Sequence, residues 1–440
     1  MTGSWRDLGE INRAPTRHPN PVRYDMLSIR PIHRALVPVD SAAARRVSAL
    51  NYDEFQGDHE IWEAIRDAPD SVLNVTMAHC AVASPDRILR RDSDESLARA
   101  NRNFERLRAS PLTHEVKRAL YIYEIVDPQR PGVRQIGLGG LARTNEIRTD
   151  DTPAGPIIRN EGVRPPKARG RARLIEATGA IIGTVNNAVP DASGAFAAAL
   201  ERHADGTAPD FETGGAGGTT HRIWLVAEPG AIARLQRLLA AEPEAYVADG
   251  NHRSAAAAML GYESFLAVFF PADRMGISPY NRLVRLPRQH DATAVDAALE
   301  RSFEVSPAGD EPLQPCETHV IGVYAAGRGW RRATPRSGVY DAADAAASID
   351  HDIVQRTLFA DLGLADAADE RLTFVGANKD AGWLAAEVDG GRADLAVTLP
   401  AVTMSQFIAV CRQRRMMPPK STWFEPKIRS GLVMAHLGGD

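Results

Sequence analysis

The chain is poor in cysteine. Its 440 residues hold three, Cys80, Cys316 and Cys411. Their wide spacing makes neither a disulfide framework nor a zinc-ligand pattern, which suits a reducing compartment. Long apolar runs are also lacking, since none approaches the ~20 residues a membrane-spanning helix needs. Met1–Pro21 is polar, contains Pro15 and Pro19, and has no apolar signal core. A cytoplasmic location without a membrane partner is therefore expected. Charge of one sign is absent too: 52 Lys and Arg stand against 56 Asp and Glu, a formal net charge of −4. With no long basic run and no helix-turn-helix pattern, nucleic acid is not an expected partner. The local basic stretches Arg159–Arg173 and Arg412–Arg415 suit a small anionic ligand as readily as a nucleic acid. No internal repeat is found.

What remains is ordinary globular composition, 44% hydrophobic and 25% charged. The length allows two or three domains with large cores. Residues 1–20 read as a loosely held tail. Residues 21–288 read as one domain with insertions, and 289–440 as a smaller one, with a boundary near Leu286-Pro287-Arg288-Gln289-His290. Apolar patterning predicts strands at 26–39, 72–77, 119–126, 136–142, 223–227 and 265–270. It predicts further strands at 318–324, 372–375, 384–388 and 395–399. Helices are predicted at 42–46, 58–66, 92–108, 174–180, 232–241, 293–303, 352–362 and 404–412. The Gly137-x-Gly139-Gly140 run lacks the helix and spacing of a dinucleotide loop and reads as strand glycines under close packing. Asp205–Thr220, with four glycines between 214 and 218, reads as a mobile loop, a lid or a linker. His79 ends a predicted strand and reads as a structural or rim histidine.

The most informative stretch runs from Tyr246 to Ser254. Tyr246-Val247-Ala248 reads as the end of a buried strand and Ala255–Met259 as a helix. Between them, Gly250 permits positive φ and lets a backbone or a phosphate approach. A strand, a Gly turn and a helix N-terminus form an anion site from N–H groups and the helix dipole. Asp249 offers a hard oxygen to a divalent cation. His252 supplies a proton carrier and Arg253 a guanidinium fork suited to phosphate. The plain alternative is a buried turn in which Asp249 caps the helix and pairs with Arg253.

Two other stretches carry chemistry. Glu161 stands alone among Arg159, Arg164, Lys167, Arg169, Arg171 and Arg173; so placed, it is expected to ionise readily and to be available as a base, unless it is a surface ion-pair acceptor. Pro418-Pro419-Lys420-Ser421-Thr422-Trp423 is extended by its prolines and offers an ammonium, two hydroxyls and an aromatic plate. The alternative there is a polar loop whose Trp423 and Phe424 plug a domain interface.

Asn160-Glu161, Asp249-Gly250-Asn251-His252-Arg253 and Pro419-Lys420-Ser421-Thr422 occur in the order seen in free serine kinases of the ParB/sulfiredoxin-like fold. Tyr52-Asp53-Glu54-Phe55, Pro69-Asp70-Ser71, Lys167 to Ala180 and Pro279-Tyr280-Asn281-Arg282 resemble a large bacterial family, domain of unknown function 1015, distantly related to those kinases. The likeness spans most of residues 25–436. It implies an α/β (α+β) fold: a ParB/sulfiredoxin-like nucleotide-binding core with insertions, plus a smaller C-terminal α+β domain that closes over the site. It also implies a Mg²⁺-dependent kinase that passes a phosphoryl group from ATP or ADP to a small hydroxy amino acid, L-serine first. Glu161 would then be the base and Asp249 the Mg²⁺ ligand. Gly250, Asn251, His252, Arg253 and Ser254 would hold the donor phosphates, and Lys420, Ser421 and Thr422 the substrate. Asn160 and Asn251 depart from the kinase pattern, which tends to have His at both places. A non-catalytic nucleotide-binding or regulatory protein on the same scaffold is the second reading. Sulfiredoxin chemistry needs a Cys in the turn, where this chain has Asn251, and is rejected.

Overall fold

In the computed structural model, residues 26–288 and 292–437 are described, with the side chains of Asp53 and Ala292 excepted. The expected tail at 1–20 lies outside them. The strands Ala245–Asp249 and Ser264–Pro271 show why their sequences are apolar throughout. Ala245, Val247, Phe265, Ala267 and Phe269 enter one core, while Tyr246, Ala248, Leu266, Val268 and Phe270 enter another. A strand covered on both faces gains nothing from polar alternation. Both belong to an eleven-stranded mixed sheet. Its path runs Ile157–Ile158, Ala245–Asp249, Val185–Val189, Ser264–Pro271, Arg134–Arg143, Thr113–Val126, Ile32–Pro38, Met434–His436, Ala180–Ile181. The hairpin of Phe211–Gly214 and Thr220–Val226 joins it at the far half of Thr113–Val126.

Helices Ala195–Gly206 and Pro229–Ala240 cover one face through Phe196, Leu200, Leu235 and Leu239. Helix Met404–Arg412 covers part of the other through Phe407 and Val410. A six-stranded antiparallel sheet stands apart: Phe303–Gly309, Gly329–Pro335, Ile321–Ala325, Leu395–Thr398, Asn281–Val284, Leu372–Val375. Two connections tie the sheets together. The chain crosses at Gly276–Ser278, which pairs with Trp423–Glu425, and its last strand, Met434–His436, returns to the large sheet. The mixed α/β architecture, a large sheet plus a smaller antiparallel unit, is the expected one.

Three local expectations are overturned. Residues 72–77 form no strand; Leu73–Thr76 is a helical turn followed by another at Ala78–Cys80. The Asn74 amide donates to the carbonyls of Ala68, Pro69 and Ser71, and such local bonds outcompete a ladder. Residues 384–388 lie in helix Ala381–Asp389, because Asp380 caps it by accepting from the Trp383 N–H at 2.7 Å. Leu384 and Val388, four apart, then bury one face. The glycine-rich stretch 205–220 is not simply a loop, since Phe211–Gly214 pairs with Thr220–Val226. Buried Phe211 and Ile223 and the Glu212–Arg222 pair fasten that hairpin.

The strand glycines behave as anticipated. A Cβ on Gly139 would lie 2.0 Å from the Tyr121 ring. Gly139→Ala is therefore expected to cost about 1–3 kcal/mol through overpacking. Chemical denaturation checks this; an unchanged midpoint would contradict the packing described.

Candidate active site

Strand Ala245–Asp249 ends at the carboxylate of Asp249, and helix Asn251–Met259 begins two residues later. Gly250 joins them at φ 107°, a conformation that L side chains rarely adopt. A side chain there would also meet the Arg253 guanidinium at 2.9 Å. The turn folds Arg253 back so that its Nη2 lies 3.1 Å from Asp249 Oδ1. Lys427 Nζ comes from the C-terminal return at 3.6 Å from Oδ2 and also sits 4.2 Å from the centre of the Trp423 ring. Burial alone would raise the Asp249 pKa, but the charges of Lys427, Arg253 and Lys420 outweigh it and hold the carboxyl well below its usual range.

Around this turn opens a cleft. Glu161, Asp249, Gly250, Asn251, His252, Arg253, Lys420 and Thr422 line it, so the three distant stretches converge. Two expected residues do not face it. Ser254 is wholly buried, and its hydroxyl donates to the Asn251 carbonyl at 3.1 Å. Ser421 is 1% exposed and donates to the Pro418 carbonyl at 2.7 Å. In both cases the hydroxyl braces its own loop.

Glu161 reaches the cleft because residues 160–161 run parallel to Met417, whose N–H donates to the Asn160 carbonyl at 2.9 Å. The Lys420 backbone N–H and ammonium both favour the Glu161 carboxylate, yet burial, aided by the Asp249 charge, pushes its pKa up. The expectation of ready ionisation is thus reversed: desolvation exceeds the pull of neighbouring cations. A carboxylate held above its ordinary pKa is a better proton acceptor.

His252 is not a cation here. Its Nε2 accepts the Arg164 backbone N–H at 3.0 Å, so the ring proton sits on Nδ1. Burial, then the charges of Lys167, Lys420, Arg164 and Arg171, lowers its pKa to about 4. Asn160 and Asn251, the two departures from the kinase pattern, contact each other: Asn251 Nδ2 donates to Asn160 Oδ1 at 3.0 Å. His79 lies elsewhere, buried and held by Asp58 at 3.2 Å.

Several cleft residues escape a reading of the motifs alone. Arg164 precedes helix Pro165–Thr178, and Lys167 and Arg171, four apart, share its inner face. That spacing within the basic stretch was the available signal. Tyr52 stacks under Arg171 at 4.3 Å, and Phe374 enters from the six-stranded sheet. Lys427 had no signal, because its partner is 178 residues away.

The donor set can be tested against Mg²⁺. One oxygen of Asp249 faces Arg253 at 3.1 Å and the other Lys427 at 3.6 Å. Mg²⁺ takes one or two carboxylates and completes its octahedron with phosphate oxygens and water, which this arrangement permits.

The family described as "Protein of unknown function (DUF1015)" matches residues 29–358. The chain belongs to that family. No curated protein matches this DUF1015 member. Solved structures similar to it include a conserved hypothetical protein from Pyrococcus furiosus, 14% identical over 62% of this chain and 89% of that one, TM-score 0.35. Another is a free serine kinase in complex with AMP, 12% identical over 61% and 83%, TM-score 0.36. A third is SbnI with a C-terminal truncation from Staphylococcus aureus, 11% identical over 65% and 82%, TM-score 0.36. Likeness of this degree carries nothing about the reaction of the DUF1015 chain.

The neutral His252 gives a test. Because its folded pKa lies below the unfolded value of about 6.5, the unfolded chain binds the extra proton between those pH values. This contribution to stability is complete above pH ~6.5 and is lost as pH falls toward 4. His252→Gln is expected to flatten the stability-versus-pH slope in that window, read from denaturation midpoints. An imidazole NMR midpoint near the unfolded value would contradict the assignment.

Proposed function

We propose that this DUF1015 protein is a nucleotide-dependent kinase that phosphorylates the hydroxyl of a small amino acid, with L-serine the first candidate. The observation that carries the reading is the convergence of Glu161, a proton acceptor of raised pKa, with the Gly250 turn inside one cation-lined cleft. Phosphoryl transfer demands positioning and charge neutralisation more than covalent help. The start of helix Asn251–Met259 presents N–H groups to the donor phosphates, and Arg253, Lys167 and Arg171 surround them with charge. When bound, Mg²⁺ on Asp249 adds further neutralisation. Neutral His252 contributes a hydrogen bond from Nδ1 rather than a charge.

The acceptor lies between Glu161 and the Lys420–Thr422 loop. Its hydroxyl oxygen forms a bond to the terminal phosphorus while the bond to the departing nucleotide oxygen breaks and its electron pair leaves with the nucleotide. The hydroxyl proton passes to Glu161. Ser421 supports the loop from behind in place of touching substrate. ATP and ADP both meet these requirements, the phosphate chain differing by one unit.

Glu161→Gln is expected to lower kcat by ~10²–10⁴-fold while nucleotide affinity, measured by calorimetry, stays nearly unchanged. The assay offers ATP or ADP, Mg²⁺ and a panel of hydroxy amino acids, with phosphorus NMR of the products. Unaltered turnover in that variant would remove Glu161 as the base. Asp249→Asn is expected to weaken Mg²⁺-nucleotide binding; equal affinity would remove Asp249 from the metal site. Nucleotide consumption without a phosphorylated acceptor would favour a nucleotide-binding regulator.

A further inference from the structure

Arg282 lies in strand Asn281–Val284 of the six-stranded sheet and is 3% exposed. Its hydrogen bonds, among the described residues, run to carbonyls and not to a carboxylate. Nη1 donates to Tyr280 and Asn281 at 3.0 and 3.1 Å. Nη2 donates to Pro419 and Lys420 at 3.3 and 3.0 Å. The guanidinium also stacks 4.5 Å from the centre of the Phe374 ring. Burying a guanidinium whose hydrogen bonds go only to carbonyls is costly, and burial depresses the Arg282 pKa to about 10 even with the Glu161 charge acting the other way. For a group that merely fills a core, an apolar side chain would be the cheaper choice.

What the fork grips explains its presence. Lys420 has φ 59°, so its two peptide groups diverge: the N–H faces Glu161 and the C=O faces Arg282. We propose that Arg282 is a positioning residue, which locks the Pro419–Lys420 peptides from the six-stranded sheet and thereby holds Glu161 at its place in the cleft. The inference rests on the role proposed for Glu161. Arg282 touches neither donor nor acceptor. It acts through the Lys420 backbone, whose N–H favours the Glu161 carboxylate. A lysine at this position keeps the charge but lacks the planar fork that reaches carbonyls on two segments at once.

The test is the pH profile of kcat/KM for Arg282→Lys in the phosphorylation assay, with folding checked by circular dichroism. Loss of the Lys420 N–H bond raises the Glu161 pKa, so the acid limb is expected to move to higher pH. The kcat is expected to fall roughly 10–10²-fold, with the nucleotide KM within about twofold. A purely structural role would lower the amount of folded enzyme and leave the limb where it was. If Arg282→Lys does not fold, Phe374→Leu removes the stacking surface and keeps the fork; a smaller shift in the same direction is expected. An unmoved limb in the folded variant overturns the inference while leaving the kinase reading intact if Glu161→Gln is inactive. Full turnover in Glu161→Gln would overturn both.

Discussion

Asp249 is the point on which the arrangement turns. One oxygen faces a guanidinium four residues ahead, the other an ammonium brought in from the far end of the chain. Removing this carboxylate would take from Arg253 and Lys427 the anion that both face. Uncompensated like charges in a desolvated cleft repel strongly, because the low dielectric magnifies each pair. Asp249 thus links the Gly250 turn and the start of the helix to the closing segment. The same anion adds to the burial that lifts the pKa of Glu161.

The cleft shows how excess positive charge is tolerated before any ligand arrives. Tyr52 and Phe374 offer ring faces to Arg171 and Arg164, and Trp423 offers one to Lys427. Cation–π contacts stabilise these side chains without consuming the charge. His252 avoids adding to the repulsion by staying neutral, its acceptor nitrogen taken by a backbone N–H.

Sequence patterning reveals most of the scaffold and the centre of the site. Strands such as Ser264–Pro271 are apolar over their whole length, and the Asp-Gly junction before an alanine-rich helix marks the turn at 249–251. It fails where side chains decide against propensity. Asn74 bends a Val- and Leu-rich run into helical turns, and Asp380 starts a helix where Leu384 and Val388 mimic a strand. Hydroxyls mislead for a related reason: Ser254 and Ser421 sit inside the two most suggestive motifs, yet each satisfies a nearby carbonyl. Lys427 and Arg282 reach the site only through the crossing between the two sheets, which local pattern does not encode.

The strand Met434–His436 lies between Ile32–Pro38 and Ala180–Ile181, and so bridges two parts of the large sheet made much earlier during synthesis. Until residue 436 has left the ribosome, both neighbouring edges expose unpaired N–H and C=O groups. Open edges of that kind invite pairing with foreign strands. Met434–His436 therefore covers the Ile32–Pro38 edge and gives the two-residue strand Ala180–Ile181 its only neighbour on the sheet path. The same C-terminal return that closes this edge also carries Lys427 to Asp249.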